Sequence, residues 1–356
     1  MTFTKTLLSW YKKNQRDLPW RKTRDPYTIW ISEVILQQTR VEQGLDYFLR
    51  FIERFPTLNV LAGTEEQEVL KAWQGLGYYS RARNMHTSAR EIIDLHNGIF
   101  PDNYEKLVRL KGIGQYTAAA IASIAYNLPY PVVDGNVMRF FSRYFGISIP
   151  VDTVSGRKKI YDQALLMLDC KQPGTFNQAI MEFGALQCKP GKPDCTACLL
   201  KTTCHAFLNG LVEQLPVKIQ LKKQRTRYFH YIVILCQNGK KGKCIYLRKR
   251  EEKDVWKNLY DFPLIEGNQE LDEEKLFTSF EWRKTIHNGK FELIQISPLY
   301  KHILTHQVIF ARFYIYRQTG KPVTKLPYIL VPLDEINHYP LPRLVEQFLQ
   351  KTMIVF

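Results

Sequence analysis

LKGIGQYTA (110–118), followed by the small-residue run AAIASIAY (119–126), is the stretch that decides the fold of this chain. Glycine is costly inside a helix, so Gly112 and Gly114 predict a tight turn between two helices. The exposed N–H groups of such a turn, with the N-terminus of the second helix, can bind a phosphate, and Lys111 adds positive charge there. An ordinary inter-helix turn is the alternative, and a Gly-x-Gly pattern alone favours it.

Two acidic residues stand out, one before this turn and one after it. Glu33 lies in the apolar helical stretch WISEVILQQTRV (30–41), where burial should raise its pKa and suit it to act as a general acid. Asp134 lies in VVDGN (132–136), before a predicted helix whose N–H groups should keep the carboxylate ionised. A protonated acid and a carboxylate are what cleavage of a glycosidic bond needs. The structural alternatives are a partnered core acid for Glu33 and a helix N-cap for Asp134.

Four cysteines follow within seventeen residues: Cys188, Cys195, Cys198 and Cys204. Four thiolates this close in sequence can enclose one metal centre. A structural zinc site is the simplest alternative, although zinc knuckles usually show two well-separated CxxC pairs. The remaining cysteines fall outside the pattern and are expected to be free thiols: Cys170, Cys236 and Cys244.

The composition indicates a soluble globular protein with a polyanionic partner. The 356 residues allow two domains, and the net charge of +16 suits nucleic acid. No apolar run is long enough to span a membrane, and the N-terminus has no secretory apolar region. We therefore expect a cytoplasmic monomer, associated with the nucleoid if bacterial, that does not bind membranes.

The chain reads as two domains joined by a basic linker. Residues 1–215 are mainly helical in pattern, with TIWISEVILQQTRVEQGLDYFLRFIERF (28–55) as the longest periodic stretch. Residues 216–227 hold five basic residues and no acidic ones, so they predict a linker that lies near phosphates or is a solvated tether. Residues 228–356 predict an α+β domain. Its expected strands are 228–236, 243–250 and 308–316, and its expected helices are 271–282 and 341–351.

In this order, LKGIGQYTA, VVDGN and the cysteine loop resemble the helix-hairpin-helix DNA glycosylases of the endonuclease III superfamily. Three stretches are similar to adenine DNA glycosylases of the MutY type: SEVILQQTRV (32–41), GLGYYSRARN (75–84) and VDGNVMR (133–139). The resemblance implies a mainly α-helical, two-lobed helix-hairpin-helix glycosylase domain with an iron–sulfur loop, followed by an α+β Nudix-like domain. It also implies base excision repair of double-stranded DNA. The implied reaction hydrolyses the N-glycosidic bond of adenine mispaired with 8-oxoguanine or guanine and leaves an abasic site.

The resemblance assigns catalytic roles to four residues. Glu33 would protonate the flipped adenine at N7 and later help to activate water, and Asp134 would stabilise the oxocarbenium-like sugar. Asn136 would orient Asp134 or the water. Tyr116 stands where the bifunctional relatives have the lysine that forms a Schiff base with the sugar, and a phenol cannot form that imine. The resemblance therefore implies base removal without efficient strand cleavage.

The resemblance also assigns residues that bind DNA and the extruded base. Trp20 and Arg21 would line the adenine pocket, with Gln178 and Met181 on its far wall. Two further side chains, Gln38 and Tyr78, would wedge into the base stack. The hairpin residues Lys111, Gly112 and Gly114 would meet the phosphate backbone. For the pocket and wedge residues, core aromatics and surface amides are the structural alternative.

The remaining implied features are a cofactor and a lesion-reading loop. The spacing of the four cysteines matches the [4Fe–4S] loop of the superfamily, which makes them the expected cluster ligands. The Nudix signature cannot be found in 228–356, so pyrophosphate hydrolysis is not expected there. By resemblance the loop HILTHQ (302–307) would read 8-oxoguanine through Thr305 and His306. A polar loop between strands is the structural alternative.

Two other functions compete with adenine excision. One is a pyrimidine or mismatch glycosylase with lyase activity, against which Tyr116 and the additional domain argue. The other is a non-catalytic DNA-binding module, against which the co-occurrence of Glu33 and Asp134 argues.

Overall fold

The computed structural model describes residues 2–219, 224–239, 242–271, 273–279, 282–283, 290–319 and 328–352. Contacts within the chain divide it into two units, Met1–Gly63 with Asn84–Leu221 and Thr64–Arg83 with Lys222–Phe356. The predicted domain boundaries at residues 215 and 228 stay a prediction. No feature of the sequence separates Thr64–Arg83 from its neighbours, yet by its contacts this segment belongs with the C-terminal part of the chain.

The first unit is helical. Its helices are α1 Phe3–Asn14, α2 Pro26–Leu36, α3 Val41–Arg54, α4 Leu58–Gly63, α7 Tyr104–Arg109, α8 Gln115–Tyr126, α9 Gly135–Phe145, α10 Val154–Met167, α11 Pro173–Leu186 and α12 His205–Leu208. Helix α5, Glu66–Ala72, lies in the other unit, and α6, Ser80–His96, crosses the division between the two units. Helices α7 and α8 form the hairpin that LKGIGQYTA predicts.

Helix α8 is the central helix of this unit. Its side chains from Thr117 to Ser123 are all buried, and most of them are small, so neighbouring helices can pack closely against it. It contacts α2, α7 and α11, which are the helices that carry or flank the predicted site residues. Next to it, α1, α9 and α11 bury an aromatic cluster that includes Trp10, Phe140, Phe176 and Phe183.

The long periodic stretch at 28–55 is interrupted. Helix α2 ends at Leu36, and α3 begins at Val41. Between them Gln38 has a left-handed backbone with φ of 58°. The prediction of one long helical stretch missed this break because neither glycine nor proline marks it.

The second unit contains a mixed sheet. The strands described are β1 Arg225–Gln237, β2 Lys243–Lys249, β3 Tyr260–Asp261, β4 Leu264–Gly267, β5 Lys290–Ile296, β6 Tyr300–Ile303, β7 Gln307–Thr319 and β8 Ile329–Pro332. Their order is β3-β2-β1-β7-β5, with β4 on β1, β6 on β7 and β8 on β2. The central pair, β1 and β7, is parallel. Two helices, α13 Glu273–Thr278 and α14 Arg343–Thr352, complete the predicted α+β class.

The stretch predicted as a linker is partly structured. Residues 220–223 of this stretch lie outside the described residues. The same holds for three residues of the predicted helix at 271–282, namely 272, 280 and 281. Before the gap, the Val217 carbonyl accepts from the Val151 N–H at 3.0 Å. After it, β1 begins at Arg225, and Arg227 is only 6 % exposed because it pairs with Asp254 and Glu266. Arg227 is therefore a buried ion-pair partner and not a phosphate-facing linker residue.

No helix in the described ranges has both the length and the apolar character that crossing a membrane requires.

Candidate active site

A cavity of about 160 Å³ in the first unit collects the residues predicted for catalysis and base binding. Helices α2, α8 and α11, the N-terminus of α9 and the short turn Pro19–Arg21 surround it. Predicted residues in its lining are Trp20, Arg21, Glu33, Tyr116, Asp134, Asn136, Gln178 and Met181. The volume corresponds to roughly five water molecules in the liquid, which suits one planar base.

Glu33 lies on α2 with 7 % of its surface exposed. The Tyr116 hydroxyl on α8 donates a hydrogen bond to Glu33 Oε2 at 2.5 Å. Burial raises the pKa of Glu33 to about 7, and the nearby Asp134 carboxylate contributes to the increase, whereas the Tyr116 hydrogen bond and Arg21 oppose it. The apolar surroundings read from the sequence therefore have the expected effect on its pKa. At neutral pH this carboxyl is available both as an acid and as a base.

Asp134 is the N-cap of α9. Its Oδ1 accepts from the Val137 N–H at 2.7 Å, and its Oδ2 accepts from Asn136 Nδ2 at 2.7 Å. The helix N-terminus expected from the sequence is thus present. Its effect on the pKa of Asp134 is, however, smaller than that of burial. Burial raises this pKa, and the hydrogen bonds from Val137 and Asn136 only partly offset the increase. Both carboxylate oxygens are held in fixed directions.

Arg139 connects this carboxylate to the cysteine loop. Its Nη2 donates to Asn136 Oδ1 at 2.9 Å, so the Asn136 amide is oriented with its Nδ2 toward Asp134. Its Nε donates to the Cys188 carbonyl at 2.8 Å. Arg139 lies outside the predicted set of site residues, although a position three residues after Asn136 on a helix is compatible with this contact.

Polar residues outside the predicted set line the far wall of the cavity or contact residues that do. Tyr11 on α1 donates from its hydroxyl to Gln178 Oε1 at 3.0 Å. Glu182 is buried beside Gln178 on α11 and binds Arg16 and Arg21. The sequence signal for Glu182 is a single acid in a largely apolar helix, FNQAIMEFGAL (176–186). The same pattern indicates Glu33.

The two hairpin glycines have different structural requirements. Gly112 has φ of +80°, and a Cβ there would lie 2.6 Å from the Cβ of Asn84, so the fold itself requires glycine. Gly114 is the extended N-cap of α8, and nothing lies within 4 Å of the position its Cβ would take. Lys111 is exposed, and its carbonyl accepts from the Ser88 hydroxyl at 2.6 Å.

Gln38 and Tyr78, the two predicted wedge residues, share an unusual backbone. Both are exposed, and both have positive φ, 58° for Gln38 and 48° for Tyr78. Non-glycine residues adopt this conformation at a cost, and such residues concentrate at functional sites.

In the second unit, the loop between β6 and β7 presents Thr305 and His306 to solvent. The Thr305 hydroxyl is hydrogen-bonded to the hydroxyl of Tyr78, which belongs to the same unit. Gln224 steadies the loop by donating to the Leu304 carbonyl at 2.9 Å. Tyr78 and Thr305 have separate predicted roles, and the contact between them was not predicted.

The four cysteines of the loop line one cavity in the first unit. Burial raises the pKa of Cys198 to about 11, and the charges of the other three thiols add to the increase. Arg143 Nη1 donates to Cys188 Sγ at 3.5 Å, and the Leu200 N–H donates to Cys198 Sγ at 3.4 Å. The Leu200 hydrogen bond opposes the increase in the pKa of Cys198.

Across the parts of the chain that are described, no three His, Cys, Asp or Glu side chains are arranged to hold a single metal ion. In a [4Fe–4S] cluster each thiolate binds a different iron, so the sulfurs need not meet at one point. The donor set therefore fits such a cluster.

Comparisons with known proteins agree with this geometry. A family model described as HhH-GPD superfamily base excision DNA repair protein matches residues 31–157, and a NUDIX domain model matches residues 230–351. An adenine DNA glycosylase of Buchnera aphidicola subsp. Acyrthosiphon pisum is 39% identical over 279 residues, which cover 77% of this chain and 78% of that protein. The chain belongs to the adenine DNA glycosylase family.

Two further matches support membership of this family. The adenine DNA glycosylase of Buchnera aphidicola subsp. Baizongia pistaciae is 34% identical over 87% of this chain and 84% of that protein. A solved thermostable thymine-DNA glycosylase is 30% identical, with a TM-score of 0.54 over 58% of this chain and 95% of that one. The predicted fold class is confirmed, and the chain is a DNA glycosylase of the base-excision type with a Nudix-like C-terminal domain.

Proposed function

We propose that this adenine DNA glycosylase family member removes adenine paired with 8-oxoguanine, or with guanine, from double-stranded DNA and leaves an abasic site without cutting the strand. One observation carries the proposal. In a cavity of about 160 Å³, Glu33 and Asp134 face the same space, and Glu33 has a pKa of about 7.

Glu33 is the general acid. A carboxyl with a pKa of about 7 carries a proton in a large fraction of molecules at neutral pH and can pass it to N7 of an extruded adenine. A protonated purine leaves its sugar far more readily than a neutral one. The Tyr116 hydroxyl donates to one carboxyl oxygen, so the proton of the acid resides on the other. After departure of the base, the same carboxylate can accept a proton from the attacking water.

Asp134 stabilises the positive charge that develops on the sugar. Its oxygens are fixed by Val137 and Asn136, so the negative charge is in position before the reaction starts. Asn136 is held in turn by Arg139. A fixed anion of this kind costs little reorganisation at the moment of bond cleavage.

Tyr116 argues against a lyase step. Its hydroxyl is engaged with Glu33, and burial raises its pKa well above the ordinary range, so it stays a neutral donor. A phenol forms no imine with an abasic sugar, so the site lacks the covalent chemistry that cuts the strand.

The far wall selects the base. Tyr11 donates to the oxygen of the Gln178 amide, which leaves the two N–H groups of Gln178 Nε2 to donate to a ring nitrogen of adenine. Trp20, 6 % exposed, and Met181 supply apolar contact for the base.

The second unit reads the opposite strand. The contact between the hydroxyls of Tyr78 and Thr305 joins the proposed wedge to the proposed lesion-reading loop, and His306 beside it is exposed. An exposed hydroxyl and imidazole can hydrogen-bond to 8-oxoguanine or to its phosphate, while the ring of Tyr78 replaces lost stacking.

The cysteine loop would meet the phosphate backbone. Cys188, Cys195, Cys198 and Cys204 would hold a [4Fe–4S] cluster, which would supply structural support and charge to the loop. Lys189 is exposed, whereas Lys201 is tied to the Thr196 carbonyl at 2.6 Å and Lys192 lies 3.7 Å from Glu213. Gly114 adds a second backbone contact, because open space at its Cβ position leaves room for a phosphate.

The test compares three duplexes under single-turnover conditions, with A opposite 8-oxoguanine, A opposite guanine, and T opposite guanine. We expect free adenine from the first two, fastest from the first, and strand breaks only after alkali. No adenine release from A opposite 8-oxoguanine refutes the proposed function. Breaks without alkali refute the monofunctional reaction, and release of thymine favours the mismatch-glycosylase alternative.

A further inference from the structure

Glu182 is the most heavily bonded acid at the cavity. One oxygen accepts from the Arg16 N–H at 2.9 Å, from Arg16 Nε at 3.0 Å and from Arg21 Nη1 at 2.8 Å. The other accepts from Arg16 Nη2 at 2.7 Å and from Arg21 Nη2 at 2.8 Å. Only 1% of its side chain is exposed. The two guanidinium groups hold the pKa of Glu182 at about 2, so it stays ionised.

The two arginines are not equivalent. The Arg21 side chain is 12% exposed, lies against the Tyr11 ring and donates to the Arg16 carbonyl at 3.0 Å. The Arg16 side chain is 28% exposed. Arg21 is the arginine whose charge acts on Glu33. In a buried site an uncompensated cation favours the ionised form of a nearby carboxyl, which would remove the proton that base excision needs.

We propose that Glu182 is a positioning residue for the acid: it binds Arg21, cancels its charge, and so prevents that cation from drawing the proton off Glu33 in the shared cavity. The inference rests on the proposed function of Glu33 as the proton donor. It assigns Glu182 no contact with the adenine.

The charged and titratable groups that line the cavity with Glu33 come from several elements. Tyr116 on α8 donates to Glu33, and Asp134 before α9 adds a negative charge. Arg16 and Arg21 come from the N-terminal segment, and Glu182 comes from α11. Burial is the largest influence on Glu33, and among these side chains Arg21 is the cation that opposes it. Glu182 is the acid that pairs with Arg21 and can cancel that opposition.

The experiment measures the single-turnover rate of adenine release against pH for wild type and Glu182→Gln. In wild type we expect the rate to fall as pH rises through about 7. We call this fall in rate with rising pH the alkaline limb of the pH–rate profile. In Glu182→Gln we expect the alkaline limb to move to lower pH by about 1 unit or more, with the rate approaching that of wild type at acidic pH. Glu182→Asp keeps the charge and should keep the wild-type limb.

Two double variants with equal net charge give a matched comparison if Glu182→Gln alone fails to fold. Arg16→Gln with Glu182→Gln leaves Arg21 uncompensated and should show the shifted limb. Arg21→Gln with Glu182→Gln leaves only Arg16 and should show the wild-type limb. A merely structural role for Glu182 would lower the rate equally at every pH, and that result, or identical limbs in the two double variants, overturns the proposal.

A second readout separates this inference from the proposed function. The infrared carboxyl stretch of Glu33, obtained as the difference between each protein and the same protein carrying Glu33→Gln, titrates the acid without any turnover. If wild type releases no adenine, the proposed function fails while this titration still tests Glu182. If adenine is released but the titration is unmoved by Glu182→Gln, only the inference about Glu182 fails.

Discussion

Burying the Glu33 carboxyl costs folding free energy as well as providing an acid. In the unfolded chain this carboxyl ionises above about 4.5, whereas in the folded protein it keeps its proton up to about 7. Between these two values the unfolded chain has released the proton that the folded protein still holds. The free energy of unfolding therefore falls as the pH rises through this range and is lowest above about 7. At about 1.4 kcal/mol per pH unit, the difference corresponds to about 3 kcal/mol lost between pH 4.5 and 7.

Glu33→Gln should accordingly raise stability above neutral pH while it abolishes excision. A neutral amide keeps an oxygen that can accept from Tyr116 and pays no ionisation penalty. We expect the free energy of unfolding at pH 8 to rise by about 1–3 kcal/mol. Near pH 4.5 the two proteins should be equally stable. Chemical denaturation at both pH values checks this, and an equal change at both would contradict it.

At the residue scale, the sequence predicts chemistry best where one property dominates. The apolar neighbours of Glu33 predict its raised pKa because burial is the largest influence on it. For Asp134 the local helix N-terminus was a weaker guide, because burial outweighs it. Glu182 and Tyr11 could not be assigned, since their partners, Arg16 and Gln178, lie more than 160 residues away along the chain.

The hairpin of α7 and α8 is the element whose sequence pattern carried the most information, and its two glycines can be tested separately. Gly112 is required by its positive φ and by Asn84, while Gly114 sits in extended backbone with open space around it. The longer element at 28–55 was less predictable, because the break at Gln38 depends on a left-handed backbone that its amino-acid type does not signal.

Serine should therefore have different effects on stability and DNA binding at the two glycines. Gly112→Ser should lower the free energy of unfolding by about 1–3 kcal/mol, because serine must adopt the strained backbone against Asn84. Gly114→Ser should leave stability unchanged or higher, because serine is favoured at an N-cap, yet weaken binding to duplex DNA. Thermal unfolding and fluorescence anisotropy with a labelled duplex distinguish the two. Normal DNA binding by Gly114→Ser would remove this turn from the proposed interface.

At the scale of the whole molecule, the division into units does not follow chain order. Thr64–Arg83, with Tyr78 near its end, groups with the sheet that carries Thr305. Sequence patterns predicted the strands β1, β2 and β7 and the α+β class correctly, because alternation and β-branched content are local properties. The grouping of Thr64–Arg83 depends on contacts such as that between Gln67 and the Tyr260 hydroxyl, 3.1 Å apart, which no local pattern encodes.

The contact between Tyr78 and Thr305 should matter for lesion preference. Tyr78→Phe and Thr305→Ala each remove one hydroxyl of the pair. Each should therefore lower the ratio of the excision rate for A opposite 8-oxoguanine to the rate for A opposite guanine. Because they break the same bond, their effects should not add in the double variant. Combining Thr305→Ala with His306→Ala should narrow the ratio further. An unchanged ratio in all variants would exclude this loop from lesion reading.

The most direct test of the central claim is the single-turnover rate of adenine release from a duplex with A opposite 8-oxoguanine, compared between wild type and Glu33→Gln at pH 7. The account predicts release by wild type and a loss of at least about 100-fold in Glu33→Gln, with duplex binding retained. Release by Glu33→Gln at a rate near that of wild type would contradict the assignment of Glu33 as the acid that expels the base.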